Sequence, residues 1–367
     1  MTPPRGRTKA GLALDEREGS PPGDEIVASA GVPPPGPPRR GSFRSAALRS
    51  VLLYAFTLWV IVTLIFCLPR LMPGDPLQAL EDPDNALFLT DPVVRARIEA
   101  YYGLDKPLLS QYASYLGGLP QGDFGFSIAR KAPVADLIKA RLPWTLLLMG
   151  VSLTLASVLS FLAGVAATWR RGRFTDRTLL TVLTVAKSVP EYAIAAVLLI
   201  TFAVAFPVLP LFGARTPFAD YGFFGNLVDI AKHMVLPASA LTISLLGTKF
   251  LLVRNTMIST LGQDYMVMAR AKGLPDRLLK YRHAGRNAML PFLTVVGIQA
   301  GFAVGGSVFV ESVFAYPGMG SLILTSVEFR DYPVLEATFL VLAVVVLAVN
   351  LALELVYARV DPRVGAE

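Results

Sequence analysis

The chain has 367 residues, 53% of them hydrophobic and only 17% charged, with a mean hydropathy of +0.53. That is too apolar for an ordinary soluble domain, and charge-free runs long enough to span a bilayer indicate a polytopic membrane protein rather than two or three soluble domains. The net charge of +7 falls in short loops between apolar runs, which points to membrane topology rather than nucleic acid, and the single cysteine, Cys67, excludes an intrachain disulfide and suggests no thiol metal site.

Met1 to Gly41 is rich in Pro and Gly, including the run Pro33–Pro38 broken only by Gly36, and reads as a disordered tail or a docking segment rather than a signal peptide. Val51–Leu68 carries no charge and is just long enough to span as a helix. Leu71–Pro76 then breaks the helix, and a turn-rich mixed segment runs to Arg141, expected as a small folded cap on one membrane face. The second span is Leu142–Trp169, followed by the basic loop Arg170–Arg177. The third, Thr178 to about Phe206, contains Lys187, Pro190 and Glu191. Pro207–His233 reads as a connection rich in Pro, Gly and aromatics, and Met234–Val253 as the fourth span with Lys249 close to its end. Asn287–Val310 and Tyr332–Tyr357 are the fifth and sixth spans, the last interrupted by Glu336 and Glu354.

The short-loop basic residues collect on one face: Arg39, Arg40, Arg44, Arg49, Arg170, Arg171, Arg173, Arg177, Arg254, Arg359 and Arg363, together with the segment Asp264–Pro291. The opposite short loops hold little beyond Arg215, Lys232 and Arg330. Positive charge marks the cytoplasmic side, so both termini are expected there.

No catalytic constellation emerges, and no metal site is suggested. The two histidines, His233 and His283, fall in different predicted loops on opposite faces, and HExxH, GxSxG and GxxxxGK[ST] patterns are absent from the sequence. Any ATP energy must therefore enter through another subunit. Gly297, Gly301 and Gly305 recur every four residues along one face of the fifth span, where a neighbouring helix can approach closely; close packing is the simpler reading, and sliding during transport is compatible with it. Gln299 on the same helix needs a partner or a wet cavity. Lys187 and Glu191, four apart, read either as a self-neutralising pair or as lining of a path, with a kink expected at Pro190. Glu311, at the outer end of the fifth span, reads as solvated.

Asp264–Pro291 is the longest polar segment of the C-terminal half. Asp264 suits a helix N-terminus and Gly273 a C-terminal stop, giving a helix of little more than two turns, with Pro275 opening a second. So short a helix needs a neighbour. Anionic lipid would account for the basic residues, but Ala269, Ala271 and Gly273 make a shallow surface that suits a protein groove.

These residues resemble the dipeptide/oligopeptide/nickel permease family of binding-protein-dependent ABC importers. The likeness lies in Asp264-Tyr265, Ala269-Arg270-Ala271-Lys272-Gly273, Arg282-His283-Ala284, Arg286-Asn287-Ala288 and Pro291. It extends to Leu71–Pro76, Gly103-Leu104-Asp105, Gly122-Asp123, Pro317-Gly318-Met319-Gly320 and Arg330-Asp331-Tyr332-Pro333, over about Leu48–Arg363. The resemblance implies an all-α polytopic fold of type I importer permeases with six transmembrane helices: a tail over 1–44, the first helix and an extracytoplasmic segment over 45–141, a five-helix core over 142–357 and a cytoplasmic end over 358–367. It also implies that Asp264, Tyr265, Ala269, Arg270, Ala271, Lys272 and Gly273 belong to a coupling helix that docks on an ATPase. The general importer pattern begins Glu-Ala-Ala, where this chain has Val267, Met268 and Ala269; the Ala-Arg-Ala-Lys-Gly form resembles the peptide branch. Arg286 resembles the first of two permeases. The partners so implied are a second permease, two ATPases that bind ATP and Mg, an extracytoplasmic solute-binding protein and membrane lipid, in a bacterial or archaeal cytoplasmic membrane; no cofactor is expected in this chain. Dipeptides, longer peptides, nickel chelates and oligosaccharides stay open as cargo. A secondary transporter driven by ions and a scaffold or receptor without cargo are the competing classes; Lys187 and Glu191 match no family pattern.

Overall fold

The computed structural model describes residues 43–71, 92–103, 105–127 and 129–360; most of the tail, the predicted break after Leu71, and residues 361–367 lie outside them. The described chain is almost entirely helical. Its elements are α1 (Phe43–Arg70), α2 (Pro92–Tyr102), α3 (Leu108–Gly118), a two-residue antiparallel pair β1 (Phe126–Ser127) and β2 (Ala132–Pro133), α4 (Val134–Trp169), α5 (Phe174–Ser188), α6 (Glu191–Leu199), α7 (Phe223–Leu261), α8 (Asp264–Ala271), α9 (Gly285–Val313), α10 (Met319–Glu328) and α11 (Tyr332–Val360). Met1–Ala55 and Phe56–Glu367 separate as two compact units; the first contributes only the start of α1 to the described residues, and the second holds every other element.

Among the described residues four helical stretches are long and apolar enough to cross a membrane: Leu52–Arg70, Val134–Trp169, Phe223–Leu261 and Tyr332–Ala352. A broken pair, Phe174–Ser188 with Glu191–Ala205, is a fifth. The expected third span is therefore corrected from one kinked helix to two helices bent by 102°. The cause is Pro190, which has no N–H and clashes with a helical predecessor; Val189 accordingly adopts φ −87°, ψ 128° and α5 ends before it. Beyond Leu199, α6 continues in wide π-helical turns over Ile200–Ala205.

Two spans begin earlier than their hydropathy suggests. α4 starts at Val134 and continues through Pro143, and α7 starts at Phe223 and continues through Pro237. The stretches before Leu142 and Met234 carry charged or turn-forming residues (Asp136, Lys139 and Arg141; Gly225, Asn226, Asp229 and Lys232) and so read as loop, and each proline forfeits one backbone bond without ending the helix. His233 consequently sits inside α7, buried beside Asp229, and not in a loop. The fifth predicted span lies within the 29 residues of α9.

The bundle is held by helices packing on α4 and α7. Val134, Met149, Met319, Leu322, Val334 and Leu335 form one cluster; Leu148, Leu236, Leu241, Val310, Phe314 and Tyr316 form another around α7. α1 lies on α11 and α3 through Val62, Ile65 and Leu340. Glu336, which interrupts the sixth predicted span, is ion-paired to Arg70 of α1, whose guanidinium also stacks 3.4 Å from the Phe66 ring centroid.

One end of the bundle is closed by charges turned inward. Glu311 is fully buried, contrary to the solvated position expected for it. Its Oε1 accepts from Thr145 Oγ1 (2.8 Å), and its Oε2 accepts from the Gly320 and Ser321 amides (2.7 and 3.1 Å) at the N-terminus of α10. A carboxylate there satisfies orphan amides and meets the positive end of the helix dipole. The fit requires glycine: a Cβ on Gly318 would run into the Glu311 carboxylate, and one on Gly320 into the Val308 backbone. Alongside, Asp331 Oδ2 accepts from Ser127 Oγ at 2.5 Å, tying the β-pair to α11. Burial, assisted by the Glu311 charge, pushes the Tyr316 hydroxyl up to about 12.

Candidate functional site

The opposite end carries α8. Its first turn contains Asp264 against the helix dipole, and Gln263 before it is extended. Its end is a Schellman motif: Gly273 has φ +74°, its N–H donates to the Arg270 carbonyl (3.0 Å), and the Leu274 N–H donates to the Ala269 carbonyl (3.4 Å). Leu274 and Ala269 share one apolar cluster, the contact that usually accompanies this stop. The sequence-predicted helix and its terminating glycine are thus both present. A second helical stretch opens just after Pro275, widens into π-helical turns over Leu278–Ala284 and runs directly into α9.

α8 has two faces. Met266 and Ala269, three apart, are buried against Val253, Met257, Leu279, Ala284 and Phe292, so the helix is seated on the chain's own core. The other face leaves Val267 and Met268 64% and 59% exposed, with Arg270, Ala271 and Lys272 beside them. This alters the sequence reading: Ala269 points into the chain's own core, and only Ala271 of the two alanines lies on the outward surface. Tyr265 is partly exposed, and its hydroxyl accepts from Asn287 Nδ2 at 2.5 Å. Next to α8 an open groove of about 620 Å³ is lined by Pro275, Arg277, Leu278, Tyr281 and Arg282.

The platform under α8 is locked by a pair that sequence reasoning did not single out. Arg254 Nε and Nη2 donate to Asp176 Oδ1 and Oδ2 (2.7 and 3.0 Å), and Asp176 also accepts from the Gly172 amide (2.9 Å). Planar bidentate pairing of this kind fixes orientation as well as charge. An acid within the run Arg170–Arg177 was the available signal. The exposed Arg170, Arg171 and Arg173 therefore belong to the same end as α8.

The other candidates are distributed elsewhere. Lys187 and Glu191 stand on either side of the α5–α6 break and make no ion pair with each other among the described residues. Each meets α7 instead: a Cβ on Gly247 would lie 2.7 Å from Lys187 Cβ, while Glu191 Oε2 accepts from Ser244 Oγ at 3.3 Å. Gly297 is buried, and a Cβ on Gly301 would meet Val346 of α11 at 3.4 Å; Gly305 lies outside the residues whose surroundings are described. Gln299 Oε1 is buried without a hydrogen-bond partner among the described residues. Among those residues, too, no group of three His, Cys, Asp or Glu side chains could hold a metal.

A family model described as "Binding-protein-dependent transport system inner membrane component" matches residues 156–366, from the middle of α4 through every element of the α8 end. The chain belongs to this family. A protein of Brucella ovis that carries the name peptide permease protein is 38% identical over 318 residues, covering 86% of this chain and 98% of the relative; a Brucella suis protein of the same description shows the same figures. The glutathione transport system permease protein GsiC of Escherichia coli K12 is 34% identical over 308 residues, 84% of this chain and 94% of that protein. The chain is thus a membrane component of a binding-protein-dependent transport system and a multi-pass helical protein.

Proposed function

We propose that this permease is the first of two different permease subunits in an ATP-driven importer of peptides, and that α8 docks in a groove on a separate ATPase subunit. The observation that carries the reading is the division of α8: one face is seated on the chain's own core, while the other leaves Val267 and Met268 open to solvent. Exposed apolar residues on a short, rigidly terminated helix suit a protein partner better than lipid headgroups, which basic residues alone would satisfy. The names of the relatives favour peptide cargo, and glutathione is itself a short peptide with free carboxylates.

In this account α1, α4, the broken pair α5–α6, α7, α9 and α11 are six spans, the last five forming the core over about 142–357. The positive-inside rule, applied to the arginines of the α8 end, supports a cytoplasmic position for that end and both termini and an outside position for the α10 end. Two ATPases bind ATP and Mg, an extracytoplasmic protein delivers cargo, and nucleotide closure drives α8 and rocks the bundle between its two faces. The test is reconstitution with companion permease, ATPases and binding protein. Peptide accumulation in the vesicles should require ATP and all partners; accumulation by this chain alone under an ion gradient would overturn the reading.

A further inference from the structure

Lys249 is one of the largest fully buried side chains of the protein, and its Nζ has no hydrogen-bond partner among the described residues. An ammonium offers three donors and no acceptor, so burying it alone is costly. It lies five residues before Arg254 of α7, about 7.5 Å along the axis, and its side chain is nevertheless fully buried instead of snorkelling out to that end. The buried acids among the described residues are engaged elsewhere: Glu311 by Thr145 and the start of α10, Glu336 by Arg70, Asp331 by Ser127 and Asp176 by Arg254.

The place it occupies is defined by α4. Thr242, Lys249 and Val253 fall on one stripe of α7. Thr242 Oγ1 donates to the Ser152 carbonyl at 3.4 Å, and a Cβ on Gly164 would meet Val253 at 2.8 Å, so this stripe faces α4. Opposite, at four-residue spacing, α4 presents Ser152, Ala156, Ser160 and Gly164, all small and buried. The Ser160 hydroxyl is turned back on its own helix, donating to the Ala156 carbonyl at 2.6 Å. Lys249 therefore faces a slot lined by small residues of α4, with no counter-charge among the described residues.

We propose that this slot is an anion-reading point of the translocation path, in which Lys249 receives the free carboxylate of a passing peptide when α4 and α7 part. The inference rests on the peptide-importer reading. A carboxylate is the complement that a lone ammonium selects, and a peptide's terminal group is small enough to enter between two helices that pack through small residues.

The test uses the complete complex in vesicles, with binding protein loaded to saturation by trialanine or by trialanine amide, and compares Lys249→Met and Lys249→Arg with wild type on each probe. The binding protein's own preference cancels in that comparison. Lys249→Met should slow trialanine uptake about tenfold or more while changing amide uptake less than about twofold, and Lys249→Arg should keep most of the trialanine rate. Equal loss on both probes, which a structural lysine or one paired to the companion permease would give, overturns the proposal, as does no loss on either. A wild-type complex that imports neither probe overturns the peptide reading and this inference with it. Should Lys249→Met fail to assemble, acetylation of wild-type Lys249 during ATP turnover, read by mass spectrometry, decides: trialanine should suppress it about fivefold more than the amide, and cargo-independent labelling contradicts the assignment.

Discussion

The two ends of the bundle treat their polar groups in opposite ways. At the α10 end Glu311, Asp331 and Glu336 are buried and matched by hydroxyls, backbone amides and Arg70 from four different elements. At the α8 end the charges other than the Arg254–Asp176 pair face outward, and apolar Val267 and Met268 face outward with them. The first end is finished by the chain itself; the second leaves apolar side chains exposed, and on the proposed function a partner covers them. A substitution at the first should therefore be read in stability, and one at the second in assembly.

The largest effect on stability should come from Glu311→Ala, which strips the Gly320 and Ser321 amides and the Thr145 hydroxyl of their acceptor. Leaving those groups buried costs about 3 kcal/mol or more, visible as an early unfolding midpoint of the purified chain in detergent. Gly318→Ala should follow at about 1–3 kcal/mol, because the added methyl displaces the same carboxylate. At the other end Gly273→Ala meets nothing within 4 Å and loses only the freedom of glycine at positive φ, about 1 kcal/mol confined to fraying of α8. Met268→Ser should move the midpoint by less than about 0.5 kcal/mol and yet lower co-purification of the ATPase. A Met268→Ser midpoint as low as that of Glu311→Ala would erase the distinction between the two ends.

The difference also governs what the sequence discloses. α8 is local: an acid opens it, a glycine with room for positive φ closes it, and both are read directly at Asp264 and Gly273. The break at Pro190 is local as well, though its depth is not, since a proline in a span can kink or end a helix according to what packs beside it. The starts of α4 and α7 escape hydropathy because charged or turn-forming residues such as Asp136, Lys139, Gly225 and Asp229 break the apolar run there, and Pro143 and Pro237 follow them. Glu311, Asp176 and Asp331 each have a partner far away in the chain, in Thr145, Arg254 and Ser127, so an acid at the edge of an apolar run reads as solvated when it is the centre of a hub. Ala269 shows the same limit within one helix: its spacing from Met266 fits either face, and only the packing of Val253 and Phe292 decides that it points inward.

The central claim, that the outward face of α8 is completed by an ATPase, is tested most directly by cross-linking in the assembled complex. In a Cys67→Ser background, Val267→Cys and Met268→Cys should each give a covalent adduct with the ATPase through a short reagent carrying a maleimide for the cysteine and a photoactivated benzophenone for the partner's C–H bonds, while the inward Met266→Cys should give none. Adducts that form equally from all three positions, or from none of them while the complex stays intact, would contradict the account.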